Sequence, residues 1–152
     1  MVMGVSRLIA SGLGTGYLPK APGTWGSLAA LVVGVPLMAG PVWLLPAAAL
    51  VACGAGFVTI PRCVPDREAD PSWVVIDEVA GQWIALLGLG GLSVAGLVLA
   101  FVGFRLLDIV KPGPVGWADR QPGAFGIMAD DILAGAGVAL ALLAARWAGA
   151  PL

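Results

Sequence analysis

The chain has 152 residues, of which 59% are hydrophobic and 11% charged, with eight Lys and Arg against nine Asp and Glu and a net charge of −1. A soluble domain normally carries about 25% charged residues, so this deficit, with a mean hydropathy of +0.97, points to lipid as the solvent. Scarce Lys and Arg exclude nucleic-acid binding and a polybasic membrane-surface mode, and the absence of histidine removes phosphohistidine chemistry and imidazole metal ligands.

Residues 1–13 carry Arg7 alone among charged groups. They lack the long apolar core and small-residue cleavage site of a signal peptide and read as a short helix lying at the interface. Residues 12–27, GLGTGYLPKAPGTWGS, follow and run into the first long apolar stretch. Their glycines permit positive φ, Pro19 and Pro22 stiffen the loop, and Thr24 or Ser27 can cap the next helix. A helix start with free N–H groups, a hydroxyl and Lys20 nearby suits an anion, although a plain glycine-rich turn explains the same letters. GxxxxGK[ST] spacing is absent, so P-loop chemistry is unsupported.

Apolar runs occupy 25–38, 43–60, 73–89, 92–107 and 127–147. A crossing of the roughly 30 Å hydrocarbon core takes about 20 residues, so these are short spans. Gly40-Pro41, Gly90-Gly91 and the Pro-rich and Gly-rich stretch 112–126 separate them. The fold predicted is all-α: a polytopic membrane helical bundle of about five short transmembrane helices with an N-terminal interfacial helix, formed as one domain over 1–152. In that topology Arg7, Lys20, Arg62, Arg67, Arg105, Lys111 and Arg120 share one side and Arg146 alone takes the other, which makes the crowded side cytoplasmic. Trp25, Trp43, Trp73 and Trp147 fall at span ends, where indole prefers the headgroup level, and Trp83 falls mid-span, where it packs. Cys53 lies in an apolar run and Cys63 in a polar loop, which supports neither a disulfide nor a zinc site.

Three polar segments, 12–27, 70–82 and 105–131, meet on the cytoplasmic face of this map. Asp77 and Glu78 lie about one turn inside an apolar run, and Asp130 and Asp131 repeat that placement. Carboxylates at such depth are functional candidates by default. Arg105, Asp108 and Lys111 recur every three residues on one helical face, closed by Pro112. Asp66, Glu68, Asp70 and Asp119 read as solvated loop residues. Two converging acid pairs repel unless a cation joins them, and an all-oxygen ligand set favours a hard ion such as Mg²⁺. The competing explanation is that each pair merely complements a helix dipole.

The segments 14–27 (GTGYLPKAPGTWGS), 76–83 (IDEVAGQW), 104–112 (FRLLDIVKP) and 126–135 (GIMADDILAG) together resemble the phosphatidylglycerophosphatase A family. The family's FDxxKP motif stands here as Leu107-Asp108-Ile109-Val110-Lys111-Pro112, with Leu for Phe and the polar residues intact. The resemblance implies a Mg²⁺-dependent bacterial inner-membrane enzyme that hydrolyses phosphatidylglycerophosphate to phosphatidylglycerol and phosphate at the cytoplasmic face, with membrane lipids as its other partners.

Cysteine phosphatases need Cys and Arg six apart, whereas Cys63 is followed by Arg67 at four, and Asp66-Arg67-Glu68 lacks the pattern of aspartyl-phosphate enzymes. Metal-assisted hydrolysis remains. Asp77, Glu78, Asp130 and Asp131 are expected to act in catalysis and to hold one or two Mg²⁺. Lys20, Thr24, Ser27, Arg105, Asp108 and Lys111 are expected to bind substrate, with water or Thr24 as the nucleophile. Alternatives are another membrane lipid-phosphate phosphatase or a small divalent-cation transporter. A transporter would place acids at mid-membrane or on both faces.

Overall fold

A computed structural model describes residues 2–64 and 71–152. Asp66, Arg67, Glu68 and Asp70 therefore lie outside the described residues. Among those described there is no strand. They form α1 (Val2–Ala10), a 3-10 turn (Thr15–Tyr17), α2 (Pro22–Ala39), α3 (Leu44–Cys63), α4 (Ile76–Leu86), α5 (Val94–Val110), α6 (Pro114–Asp119) and α7 (Gly123–Trp147). Cys63, expected in a loop, ends α3 instead, its thiol 3.1 Å from the Thr59 carbonyl oxygen.

The helices α2, α3 and α7, with 18, 20 and 25 residues, are long and apolar enough to cross a membrane. The other two expected crossings are shorter: 17 residues in α5 and 11 in α4. At 1.5 Å per residue α4 covers roughly 16 Å, about half the hydrocarbon core. Its apolar run is cut at both ends. Val75 leaves helical geometry and donates its N–H to the Ala10 carbonyl, while tight turns at Leu87, Gly88 and Leu89 close the other end.

Two readings of local structure change. The stretch 112–126, expected as a break, contains α6. Lys111 ends α5 in the left-handed region (φ 49°), and Pro114 opens α6 in the first turn, where a missing N–H goes unnoticed. The last helix begins at Gly123, four residues before its apolar run, so Asp130 and Asp131 sit two turns inside rather than one.

Short α4 forms the hub and packs on α2, α3, α5 and α7. Its contact with α7 is the tightest. A Cβ on Gly135 would overlap the Gly81 carbonyl oxygen and lie 3.0 Å from the Gly81 Cα, and one on Gly88 would lie 2.8 Å from the Ala139 Cα. This seam of small residues brings the two backbones together, as lipid-embedded helices require when dispersion supplies their attraction. Phe104, Leu86, Ala100 and Val138 fill one core beside it, and Ile60, Val74, Ala80 and Met128 a second. Trp83 packs as expected and donates its indole N–H to the Ala30 carbonyl at 2.8 Å.

One end of the bundle gathers α1, the 3-10 turn, the starts of α2, α4 and α7, and the end of α5. At the other, the α2–α3 turn and Gly90-Gly91 share an apolar cavity of about 420 Å³, and Arg146 donates to the Gly88 carbonyl at 3.2 Å. The exterior is apolar, and Trp147 is 98% exposed.

Gly135→Ala is expected to destabilise the detergent-solubilised protein by about 1–3 kcal/mol through overpacking. Gly54→Ala, where an added Cβ meets nothing within 4 Å, should leave stability unchanged or raised. Denaturant titration followed by tryptophan fluorescence checks both.

Candidate active site

The acids converge because α4 and α7 touch one turn deeper. Asp77 precedes Gly81 by four residues and Asp131 precedes Gly135 by four, and a four-residue offset keeps acid and glycine on one helical face. Carboxylate oxygens of Asp77, Glu78 and Asp131 lie within 4.8 Å of one another, and so do those of Asp108, Asp130 and Asp131. Asp77, Asp130 and Asp131 are buried. The first-turn backbone of α2 approaches the same point: a Cβ on Gly23 would overlap Glu78 Oε1 and lie 3.2 Å from Arg105 Nη1.

Two basic side chains meet this negative centre. Arg105 Nη1 lies 2.5 Å from Asp108 Oδ2 and 3.8 Å from Glu78 Oε1, and it donates to Ser27 Oγ at 3.4 Å. Lys111 Nζ donates to Asp130 Oδ2 at 2.7 Å and to Asp119 Oδ1. Partial burial disfavours the Lys111 ammonium, but hydrogen bonds and charge from Asp119 and Asp130 outweigh it and hold the group above the ordinary lysine range. An open pocket of about 290 Å³ lies over these groups, with Gly23, Glu78, Arg105, Asp108, Ile109 and Lys111 in its wall.

Four buried polar groups have an atom with no hydrogen-bond partner among the described residues: Glu78 Oε2, Asp131 Oδ1, Arg105 Nε and both amide atoms of Gln82. Buried polar atoms are normally paired. Orphaned carboxylate oxygens in an all-oxygen donor set fit a hard divalent cation. The buried acid cluster is thus able to bind a metal ion.

The sequence-predicted residues divide. Asp77, Glu78, Asp130 and Asp131 come together, joined by Asp108, Arg105 and Lys111. Neither Thr24 nor Ser27 caps α2, because the helix already starts at Pro22 with Ala21 before it. Ser27 is instead buried and donates its hydroxyl to the Gly23 carbonyl at 2.8 Å. Thr24 makes no side-chain hydrogen bond among the described residues, so no base stands ready for its hydroxyl. Lys20 is exposed and forms no ion pair among the described residues. Lys111 does not share the α5 face of Arg105 and Asp108, since the left-handed turn at its own Cα redirects it toward α6 and α7.

Two residues escaped the sequence reading. Asp119, expected as a solvated loop acid, ends α6 and pairs with Lys111. Gln82 is fully buried one turn deeper than Glu78, and the signal for it was a polar residue inside an apolar helix.

The family model described as Phosphatidylglycerophosphatase A matches residues 8–146. A protein of Bacteroides thetaiotaomicron named putative phosphatidylinositol-3-phosphatase is 35% identical over 147 residues, covering 92% of each chain. Proteins named Phosphatidylglycerophosphatase A are 36% identical in Haemophilus influenzae, covering 84% of this chain and 80% of that one, and 37% identical in Escherichia coli, covering 85% and 76%. No solved structure matches.

Gln82→Leu removes two orphaned polar atoms in a shape that fits the site. It is expected to raise stability in metal-free detergent solution by roughly 1–3 kcal/mol, and an unfolding titration with EDTA present reads the change.

Proposed function

The chain belongs to the phosphatidylglycerophosphatase A family, and on that premise we propose that it hydrolyses phosphatidylglycerophosphate to phosphatidylglycerol and phosphate, using Mg²⁺, at the cytoplasmic face of the bacterial inner membrane. The observation that carries this reading is the pocket in which Arg105 and Lys111 stand beside a buried carboxylate cluster at one end of an apolar bundle. A phosphate monoester brings negative charge to such a pocket, and phosphoryl transfer depends chiefly on its stabilisation.

The cluster built from Asp77, Glu78, Asp130 and Asp131 would hold the Mg²⁺. When bound, Mg²⁺ supplies Lewis-acid stabilisation of phosphoryl charge and lowers the pKa of water. Arg105 orients the phosphate, with Asp108 fixing its guanidinium and the buried Nε left as a donor. Lys111 adds a second positive charge, held in place by Asp119. An acid of the cluster accepts the proton of the attacking water. Ile109 lines the pocket and is 68% exposed, so lipid contact begins beside the phosphate and the acyl chains stay between helices and bilayer.

Three helices, α2, α3 and α7, are long and apolar enough to cross, and α5 and the short α4 pack against α7 beside them. This supports five crossings, with α4 extended by its flanking turns and α1 lying at the interface. Arg7, Lys20, Arg62, Arg105, Lys111 and Arg120 belong to the site end and Arg146 to the other, which favours a cytoplasmic site. A second reading, hydrolysis of a different lipid phosphate monoester, is favoured by the name of the Bacteroides relative.

Purified protein is expected to release phosphate from phosphatidylglycerophosphate with Mg²⁺ and to stop with EDTA. Phosphatidylinositol 3-phosphate and phosphatidic acid in parallel assays distinguish the two readings. Asp77→Asn and Asp131→Asn should each abolish turnover in folded protein, and near-normal rates in both would rule out this assignment. Arg105→Lys should lower kcat about 100- to 1000-fold, the range for losing one preorganised donor.

A further inference from the structure

The two acid groups share Asp131 but differ in what the chain has already placed beside them. In the group Asp108, Asp130 and Asp131, Asp108 Oδ2 meets Arg105 Nη1 at 2.5 Å. Asp130 Oδ2 meets Lys111 Nζ at 2.7 Å, and Asp130 Oδ1 accepts the backbone N–H of Asp131 at 2.9 Å. Both oxygens of Asp130 are therefore engaged. Lys111 is held there by its backbone, since it sits at φ 49° directly before Pro112, and Asp119 grips the same ammonium.

The group Asp77, Glu78 and Asp131 stands differently. Among the described residues the basic atom paired with Glu78 is Arg105 Nη1, 3.8 Å from Oε1, and that guanidinium is committed more closely to Asp108. Glu78 Oε2 and Asp131 Oδ1 are buried without a hydrogen-bond partner among the described residues. Asp131 is 2% exposed, and an uncompensated carboxylate at that burial is strongly unfavourable. Gln82, four residues after Glu78 and so on the same side of α4, is fully buried, and neither amide atom has a partner among the described residues. It offers an uncharged donor and acceptor of the kind that suits water retained by Mg²⁺.

Taking its metal from the proposed function, we infer that a single divalent ion belongs to the Asp77, Glu78 and Asp131 group, while Arg105 and Lys111 act as built-in cations for Asp108 and Asp130. Asp119 is the positioning residue that holds Lys111 opposite Asp130. A second ion beside Asp130 would compete with the Lys111 ammonium, which lies 2.7 Å from Asp130 Oδ2, and would be repelled by its charge. The division gives the two basic residues separate tasks: Arg105 faces both groups, and Lys111 fills the place of a second metal.

The test counts ions without substrate. Full-length protein in detergent micelles is titrated with Mn²⁺, and electron paramagnetic resonance separates free from bound ion, with circular dichroism confirming helix content in every variant. One Mn²⁺ per chain is expected. Glu78→Gln should weaken it by about 10-fold or more, at least the cost of losing a group that only supports a ligand. Asp130→Asn should retain one ion, and Lys111→Met should raise the count to two. Two equivalent ions in the unaltered protein, no bound ion at all, or loss of the ion in Asp130→Asn but not in Glu78→Gln would each overturn the inference. Two ions or none in the unaltered protein overturn the inference even where a variant fails to fold. One Mn²⁺ bound through Glu78 in a protein that hydrolyses no lipid phosphate would overturn the proposed function and leave this inference standing.

Discussion

Backbone contact between α4 and α7 at Gly81 and Gly135 is the constraint from which the acid centre follows. Both helices start at the same end of the bundle, and each carries an acid four residues before its glycine. Where the glycines touch, the carboxylates one turn earlier must converge. Two like unit charges about 4 Å apart repel by about 4 kcal/mol at an effective dielectric near 20, so this packing is tolerable only where positive charge is brought to the same place. Close packing and the demand for cations are thus one fact seen from two sides.

The chain meets part of that demand through backbone geometry. Lys111 would continue the α5 line of Arg105 and Asp108 if the helix ran on, but the left-handed turn before Pro112 swings it between Asp119 and Asp130. Arg105 stays on α5 and reaches α4 because Gly23 leaves room for Glu78 against the first turn of α2. These placements leave orphaned oxygens on Glu78 and Asp131, which is where the proposed Mg²⁺ has a physical reason to bind.

The apolar surroundings sharpen every one of these interactions. In lipid each backbone polar group must find a partner inside the protein, and a helix as short as α4 leaves carbonyls at its end to be met. Arg146 reaches across from α7 to the Gly88 carbonyl and meets one of them. At the opposite end, Val75 ties α4 to Ala10. Arg7 lies 4.8 Å from the Trp73 ring centroid, and that ring stacks on Tyr17. The acid-bearing helix is consequently held at both termini, which fixes Asp77 and Glu78 against the rest of the cluster.

The sequence by itself determined the solvent, the helical class and the identity of the paired acids, because apolar runs with four carboxylates at their edges leave few other physical explanations. It also placed Arg105 and Lys111 on the same face as those acids, as ligands for a phosphate. Only the tertiary structure decided which charges meet. Asp119 looked like a loop acid until α6 formed in a stretch whose composition signals a break, and only the fold shows that Lys20 stays exposed and pairs with none of the described acids. Thr24 and Ser27 looked like helix caps because the start of α2 was read three residues too late. The length of α4 was hidden in a longer apolar run, since hydropathy records where a residue is comfortable and not where its backbone stops hydrogen bonding. Residue type sets what a group can do, but a partner some fifty residues away becomes a partner only when two glycines allow their helices to touch.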